Sequence, residues 1–265
     1  MKNIEIEKID CSILKNIAIK AGERIMEIYQ REDFSSITDF KADDSPLTLA
    51  DKESHRIIAA GLEEEFEGVP VLSEEGKHIS YEERKEWKRF WLVDPLDGTK
   101  EFIKRNGQFT VNIALIEDGR PVLGVIYAPA TKVFYFGQKG VEAFKEDDMG
   151  RTELKTSSRV SELVAVGSSS HAEPEEQSLL ARMGVKEMLS KGSSLKFCMV
   201  AEGSADIYYR HGPTMEWDTA AGQAIVEAAG GLVLDLEKKP FRYNKQNLLN
   251  DSFYCLSDEN LVRLL

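Results

Sequence analysis

The chain has 265 residues, of which 42% are hydrophobic and 30% are charged, a composition typical of globular proteins and not of disordered ones. The formal net charge of -12 excludes an extended nucleic-acid-binding surface, because such a surface needs a basic stripe. The length allows one large domain or two halves of ordinary size, with a substantial core in either case.

The cysteines favour a reducing compartment. Cys11, Cys198 and Cys255 lie far apart and outside any CxxC pattern, which indicates buried thiols and not disulfides or zinc ligands. No apolar run reaches transmembrane length, and the amino terminus MKNIEIEKID is too charged for a secretory signal. We expect a cytoplasmic monomer or homodimer, with peripheral attachment to the cytoplasmic face of the inner membrane as an alternative location.

The first half of the chain combines helical and strand patterns. Apolar residues recur every three or four positions from Ser12 to Tyr29 and from Leu49 to Phe66, which predicts two amphipathic helices. Strand-like runs follow at 109–116, 122–129 and 132–137. Because Asp-Gly and Pro turns join these runs, they are predicted to form an antiparallel meander.

The polar, turn-rich segment 146–160 is the predicted boundary between two halves. Beyond it, the strand-like runs LVAVGS and ADIYYR alternate with the helix-like runs SLKFCMVAEG and TAAGQAIVEAAG, an α/β pattern. We therefore predict an α+β half over residues 1–155 and an α/β half over residues 156–265.

The run WLVDPLDGT at 91–99 carries Asp94 and Asp97 to the end of an apolar strand. Pro95 donates no ladder hydrogen bond and Gly98 tolerates any backbone angle, so regular pairing is expected to stop here. Close carboxylates repel unless a cation lies between them, and Mg²⁺ is a cation that prefers oxygen ligands. The alternative is a strand that merely ends in a turn.

Other acidic residues also lie at the predicted ends of strands or the predicted starts of helices. A β-branched run ends in Glu74 and Glu75, Asp218 precedes a helix of small residues, and Asp51 lies in the first turn of a predicted helix. Each has a purely structural alternative. Glu74 would lie in a solvated acidic turn, while Asp218 would cap its helix and Asp51 would complement a helix dipole.

The chain resembles the inositol monophosphatase superfamily in three motifs and in their order. These motifs are LSEE at 72–75, WLVDPLDGT at 91–99 and EWDTAAG at 216–222. Within it, DGTKEFIKRNGQFTVNIALI and GSSLKFCMVAEG are similar to the 3′(2′),5′-bisphosphate nucleotidases of the CysQ type. The resemblance covers nearly the whole chain. It implies an α/β protein with the layered αβαβα sugar-phosphatase fold, and Mg²⁺-dependent removal of the 3′-phosphate from adenosine 3′,5′-bisphosphate.

The resemblance also implies roles for single residues. Two or more Mg²⁺ ions are expected, one held by Glu74, Asp94 and the carbonyl of Leu96, and one by Asp94, Asp97 and Asp218. Asp51 and Thr99 would orient the attacking water. The expected substrate contacts are Glu74, Leu96, Asp97, Gly98, Thr99, Ser170, His171, Lys196 and Asp218.

The implied partner is a small-molecule nucleotide, and the implied setting is the clearance of a by-product of sulfate assimilation, with inhibition by Li⁺. For Ser170, His171 and Lys196, the structural alternative is a solvated turn or helix face. Cys198 is expected in the core. Other readings of the function are an inositol or sugar monophosphatase and, in a different class, a non-catalytic phosphate-ligand sensor.

Overall fold

A computed structural model describes residues 9–31, 38–40, 46–168 and 174–265. Its helices are Cys11–Tyr29 (α1), Leu49–Glu65 (α2), Tyr81–Arg84 (α3), Thr99–Ile103 (α4), Pro174–Arg182 (α5), Leu195–Ala201 (α6) and Glu216–Ala228 (α7), and a 3-10 helix spans Glu259–Leu264. The two predicted amphipathic helices are confirmed as α1 and α2. In these ranges, no helix combines the length and the apolar character needed to cross a membrane.

The strands are Thr38–Phe40 (β1), Pro46–Thr48 (β2), Val71–Ser73 (β3), Arg89–Asp97 (β4), Thr110–Glu117 (β5), Arg120–Ala128 (β6), Val133–Gln138 (β7), Glu142–Asp147 (β8), Gly150–Glu153 (β9), Leu163–Gly167 (β10), Val185–Ser190 (β11), Ile207–Arg210 (β12), Thr214–Met215 (β13), Leu232–Asp235 (β14), Leu249–Asn250 (β15) and Phe253–Leu256 (β16). Two larger sheets contain most of them. One has seven strands in the order β3-β4-β5-β6-β7-β8-β9, and the other has five in the order β11-β10-β12-β16-β14.

Strand directions in the seven-stranded sheet explain how the site is positioned. Its strands β3 and β4 are parallel, whereas every later neighbouring pair is antiparallel. The predicted meander is confirmed, because β5, β6 and β7 pair in sequence. In the five-stranded sheet, β10 runs parallel to both β11 and β12.

Side-chain alternation along β4 produces the layers. Trp91 and Val93 join the core formed with α1 and α2, whereas Phe90 and Leu92 join the core formed with α6 and α7. A third core lies between the five-stranded sheet, α5 and the 3-10 helix. The order of layers is therefore helix, sheet, helix, sheet, helix, which confirms the predicted αβαβα fold.

Glycines bring α7 close to the seven-stranded sheet. A Cβ on Gly124 of β6 would lie 2.3 Å from Ala221 O, and one on Gly137 of β7 would lie 2.5 Å from Ile225 Cα. Only bare backbone fits at these crossings. Since α7 also contacts β4, this packing carries Asp218, in the first turn of α7, toward the end of β4.

The structure corrects two local expectations. Regular pairing does not stop at Pro95, since the register shifts between Asp94 and Asp97 and pairing resumes between Asp97 and Thr110. A local irregularity of this kind accommodates a proline, which has no N–H for the ladder. Asp218 does not precede its helix either, because it occupies the third position of α7.

Part of the predicted boundary segment 146–160 belongs to the seven-stranded sheet, in which β8 and β9 form a hairpin. The five-stranded sheet begins only at Leu163. Helix α7, from the second half, packs on strands of the first half. The division into residues 1–155 and 156–265 therefore stays a prediction.

Candidate active site

The parallel pair β3 and β4 brings acidic residues from two strand ends together. Glu74 follows β3 directly, and its backbone N–H donates to Val93 O of β4 over 3.1 Å. Asp94 comes next on β4, and its Oδ1 accepts the N–H of Leu96 at 3.0 Å, which stabilises the turn before Asp97. Because β3 and β4 are parallel, their carboxyl ends lie at the same end of the sheet. The Glu74 and Asp94 side chains are therefore close together.

Burial and mutual repulsion raise the pKa values of Asp94 and Asp218. Burial is the largest cause for Asp94, whose pKa lies well above its ordinary value. Four neighbouring carboxylates raise it further, in decreasing order Glu74, Asp97, Asp218 and Asp51. Burial and then Asp97 likewise raise the pKa of Asp218 well above its ordinary value. We refer to Glu74, Asp94, Asp97 and Asp218 as the carboxylate cluster.

A divalent cation fits the chemistry of the carboxylate cluster, because buried like charges need a positive partner and hard cations prefer oxygen ligands. Besides Asp94 Oδ1, two further oxygens of the cluster accept from backbone N–H groups: Asp97 Oδ2 from Ser194 at 2.5 Å, and Asp218 Oδ2 from Met215 at 2.8 Å. Among the residues that the structure describes, no three Asp, Glu, His or Cys side chains are already arranged to hold a metal ion.

Asp51 and Thr99 form a hydrogen-bonded pair beside the cluster. The Thr99 hydroxyl donates to Asp51 Oδ1 over 3.2 Å. Asp51 Oδ2 accepts from the backbone N–H and the hydroxyl of Thr48, at 2.8 and 2.5 Å, which completes a capping box at the start of α2. Burial raises the pKa of Asp51 to about 6, although the Thr48 hydrogen bonds oppose the shift. One carboxylate thus serves as a helix cap and as the acceptor for Thr99.

Gly98 connects β4 to α4 and lies opposite a turn of the second half, Gly192–Ser194, which we call the serine turn. Its φ of 90° is a left-handed conformation that favours glycine. A Cβ here would lie 3.0 Å from Gln108 O and 3.1 Å from Ser193 Cβ. The absence of a side chain therefore lets the serine turn approach the start of α4.

A cleft of about 220 Å³ lies beside the cluster, and its lining includes Asp97, Gly98, Lys196, Tyr208, Arg210 and Asp218. Lys196 is only 7% exposed, and its Nζ donates to Ser193 O over 2.6 Å. The alternative that Lys196 lies on a solvated helix face is therefore wrong. Burial lowers the pKa of Lys196, while Asp97 raises it.

Sequence reasoning missed Arg210, the last residue of β12. Its Nε is buried and has no hydrogen-bond partner among the described residues, although it lines the cleft. A buried guanidinium nitrogen without a partner is costly, so this group is poised to meet an acceptor in the cleft. A lone arginine after ADIYY has no informative spacing, and only folding reveals its position.

The predicted substrate contacts Ser170 and His171 lie outside the described residues. Ser168, the last described residue before them, lines the cleft. The three cysteines are free, and Cys255 is buried as expected, whereas Cys11 is only half-buried. Cys198 is buried, and burial raises its pKa well above the ordinary value, which confirms the expectation of a core thiol.

Comparisons with known proteins cover nearly the whole chain. The model of the inositol monophosphatase family matches residues 7–264. The chain is 47% identical to the 3′(2′),5′-bisphosphate nucleotidase CysQ of Escherichia coli strain K12 over 244 residues, covering 92% of this chain and 96% of the relative. The enzyme of the same description from Salmonella typhimurium is 48% identical over 246 residues, with the same coverage.

Solved structures have the same fold. The crystal structure of CysQ from Bacteroides thetaiotaomicron, a bacterial member of the inositol monophosphatase family, aligns with a TM-score of 0.82 and 44% identity, covering 94% of this chain and 97% of that one. The Thermotoga maritima IMPase aligns with a TM-score of 0.78 and 25% identity, covering 97% of this chain and 96% of that one.

Proposed function

The chain belongs to the inositol monophosphatase family and is a 3′(2′),5′-bisphosphate nucleotidase, and we propose that it releases the 3′-phosphate of adenosine 3′,5′-bisphosphate in a Mg²⁺-dependent reaction. The products are AMP and phosphate. The observation that carries this proposal is the carboxylate cluster at the end of β4, with Asp94 buried at its centre, which adjoins a cleft lined by Lys196 and Arg210. Carboxylate oxygens are ligands for hard cations such as Mg²⁺, while lysine and arginine side chains bind phosphate.

The proposed metal ligands follow the residues at the strand ends. Glu74, Asp94 and the carbonyl of Leu96 would hold one Mg²⁺, whereas Asp94, Asp97 and Asp218 would hold another, with Asp94 shared. Ions bound there would polarise the phosphoryl oxygens and stabilise the charge that develops on the leaving oxygen. The raised pKa values of Asp94 and Asp218 support this assignment, because such groups are stabilised by added positive charge.

Thr99 is proposed to orient the attacking water. Its hydroxyl proton is directed to Asp51 Oδ1, so the lone pairs of Thr99 Oγ1 remain available to accept a hydrogen bond from that water. Asp51 cannot turn away freely, because Thr48 holds its other oxygen. The pair therefore positions a nucleophile and provides a path for its proton, without a covalent enzyme intermediate.

Lys196 and Arg210 are proposed to bind the second phosphate of the substrate. Both line the cleft beside Asp97 and Asp218, and Arg210 Nε is unpartnered within the described part of the chain. Charge-assisted hydrogen bonds from such donors hold phosphate strongly. Contacts of Ser170 and His171 with the nucleoside remain proposals, as does contact of substrate with Gly98.

We further propose that the reaction clears a by-product of sulfate assimilation and is inhibited by Li⁺. The expected partner is the nucleotide alone, and the expected assembly is a monomer or homodimer. An inositol or sugar monophosphatase is the alternative activity, since the same carboxylate cluster would serve any phosphomonoester. A non-catalytic phosphate-ligand sensor is disfavoured, because the proposed metal ligands and both water-orienting residues are present together.

Product identification tests the proposed reaction. Adenosine 3′,5′-bisphosphate is incubated with enzyme in Mg²⁺ or in chelator, and the nucleoside monophosphate formed is separated by chromatography. Formation of adenosine 5′-phosphate in Mg²⁺ alone is expected. Formation of adenosine 3′-phosphate, or equal rates in chelator, would contradict the assigned bond or the metal requirement.

A further inference from the structure

A series of buried and partly buried hydrogen bonds connects the serine turn to Asp97. Thr110, at the start of β5, is fully buried, and its Oγ1 lies 2.8 Å from Ser193 Oγ and 2.7 Å from Ser194 Oγ. Ser194 Oγ donates in turn to Asn112 Oδ1 over 2.8 Å. Asn112 Nδ2 then donates to Asp97 Oδ2 over 3.4 Å. We call this series the hydroxyl relay.

The donors and acceptors of the relay set the direction of every proton in it. Asp97 Oδ2 accepts from Asn112 Nδ2, so the Asn112 carbonyl oxygen faces Ser194 and accepts its hydroxyl proton. Because the Ser194 hydroxyl donates its proton to Asn112, Ser194 Oγ accepts a hydrogen bond from the Thr110 hydroxyl. The Thr110 hydroxyl thus donates to Ser194, so Thr110 Oγ1 accepts a hydrogen bond from the Ser193 hydroxyl.

The backbone of the serine turn has an unfavourable conformation that its hydrogen bonds maintain. Ser193 has φ of 53°, in the left-handed region that non-glycine residues rarely adopt. Its hydroxyl contacts Thr110, and its carbonyl accepts from Lys196 Nζ at 2.6 Å. The next N–H, from Ser194, donates to Asp97 Oδ2. One turn therefore touches a proposed metal ligand and a proposed phosphate ligand.

Register explains why Thr110 can act at this point. On β5, Thr110 pairs with Asp97 and Asn112 pairs with Asp94. Residues two apart on a strand share one face, so both side chains project toward the serine turn from beneath the aspartates. Thr110 is the one member of the relay that contacts both serines.

We propose that Thr110 is a positioning residue that couples the metal-binding carboxylate Asp97 to the phosphate-binding side of the cleft, through the serine turn. The inference rests on the proposed function for its choice of metal and substrate. It assigns to Thr110 no contact with either, since the side chain is fully buried. Its hydroxyl sets the position of Ser193 and Ser194, and these in turn set those of Lys196 and Asp97.

The test compares variants that differ by a single hydroxyl. Thr110→Val keeps the shape and removes the hydroxyl, whereas Thr110→Ser keeps the hydroxyl. Thr156→Val is the matched control, because the Thr156 hydroxyl bonds Ala229 O outside the relay. Calorimetry measures Mg²⁺ affinity without substrate, and steady-state kinetics measure KM for adenosine 3′,5′-bisphosphate.

Thr110→Val is expected to weaken Mg²⁺ binding and to raise KM together, each by about tenfold, as for loss of a hydrogen bond to a coupled network. Thr110→Ser is expected to restore both constants to within about twofold. A residue with a merely structural role would lower Tm without moving either constant of the folded enzyme. Wild-type constants in folded Thr110→Val would overturn the proposal.

A double-mutant cycle gives a second test. Because Thr110 and Ser194 act in series, the combined Thr110→Val and Ser194→Ala change is expected to cost about as much as the more harmful single change. If the double variant instead lost Mg²⁺ affinity by the product of the two single-variant factors, the relay would be overturned. Mg²⁺ affinity needs no substrate, so an enzyme that proved to act on another phosphomonoester would refute the proposed function and still leave this cycle measurable.

Discussion

The Thr99 hydroxyl donates to Asp51 Oδ1 over 3.2 Å, joining the first residue of α4 to the first turn of α2. An alternative acceptor, Leu96 O, lies farther away at 3.4 Å. A carboxylate at the shorter distance is the stronger acceptor. The hydrogen bond therefore orients Thr99 with its lone pairs free, which is the state needed to receive a water.

Thr99→Ala is expected to lower kcat by about a hundredfold, within the range that general base catalysis contributes. The Mg²⁺ concentration for half-maximal rate should stay nearly unchanged, because Thr99 is not a proposed metal ligand. Thr131→Ala is the control, since the Thr131 hydroxyl also bonds a carbonyl three residues earlier but lies outside the cleft. A large rise in the Mg²⁺ requirement of Thr99→Ala would instead place Thr99 in metal binding.

Asp97→Asn is expected to reduce kcat by at least about a hundredfold, equal to about 2.7 kcal/mol of barrier. The change keeps one coordinating oxygen and removes a charge. The metal-free fold should be unchanged or slightly stabilised, because carboxylate repulsion is relieved. Kinetics in a Mg²⁺ titration and thermal unfolding in chelator measure the two effects. Near-normal turnover at saturating Mg²⁺ would show that Asp97 is not a required ligand.

Metal-free protein is expected to lose stability as pH rises above about 4. Burial raises the pKa of Asp51 from 3.8 to about 6, and it raises those of Asp94 and Asp218 well above their ordinary values. The folded protein therefore keeps protons that the unfolded chain has released, so the free energy of unfolding falls with increasing pH.

Mg²⁺ should reverse this trend, since it competes with those protons. The rise in Tm on adding Mg²⁺ is expected to be larger at pH ~8 than at pH ~5. Calorimetric scans in chelator and in Mg²⁺ measure it. An equal rise in Tm at the two pH values would show that Mg²⁺ binding is not linked to the titration of these carboxylates.

The sequence predicted those parts of the site that carry local signals. Asp94 and Asp97 end an apolar strand, so neighbouring residues identify them, whereas the role of Asp51 followed from the family resemblance. The relation between Ser194 and Asp97, which are 97 positions apart, depends on how the serine turn meets the end of β4 in the folded chain. Arg210 was missed for the same reason, because burial without a partner is a property of the folded chain.

Lys196→Met and Arg210→Met are expected to remove most of the preference for a substrate with a second phosphate. The unmodified enzyme should favour adenosine 3′,5′-bisphosphate over adenosine 3′-phosphate by more than about tenfold in kcat/KM, or about 1.4 kcal/mol. Remote contacts of this kind are converted into rate by aligning the scissile group. Lys186→Met, on the exposed strand β11, is the control.

Each variant is assayed on both nucleotides. The expected result is slower turnover of the bisphosphate and little change for the monophosphate. An equal loss on both would make Lys196 or Arg210 a ligand of the scissile phosphate, or a structural residue, and not the determinant of the second phosphate.

The most direct test of the central claim is the ratio of kcat/KM for adenosine 3′,5′-bisphosphate to that for inositol 1-phosphate, measured on one enzyme preparation in saturating Mg²⁺. The Lys196 and Arg210 side chains in the cleft beside the carboxylate cluster predict a ratio well above about 10, since each further 1.4 kcal/mol of remote binding adds another factor of ten. A ratio below one would contradict the nucleotidase assignment and favour the inositol monophosphatase alternative.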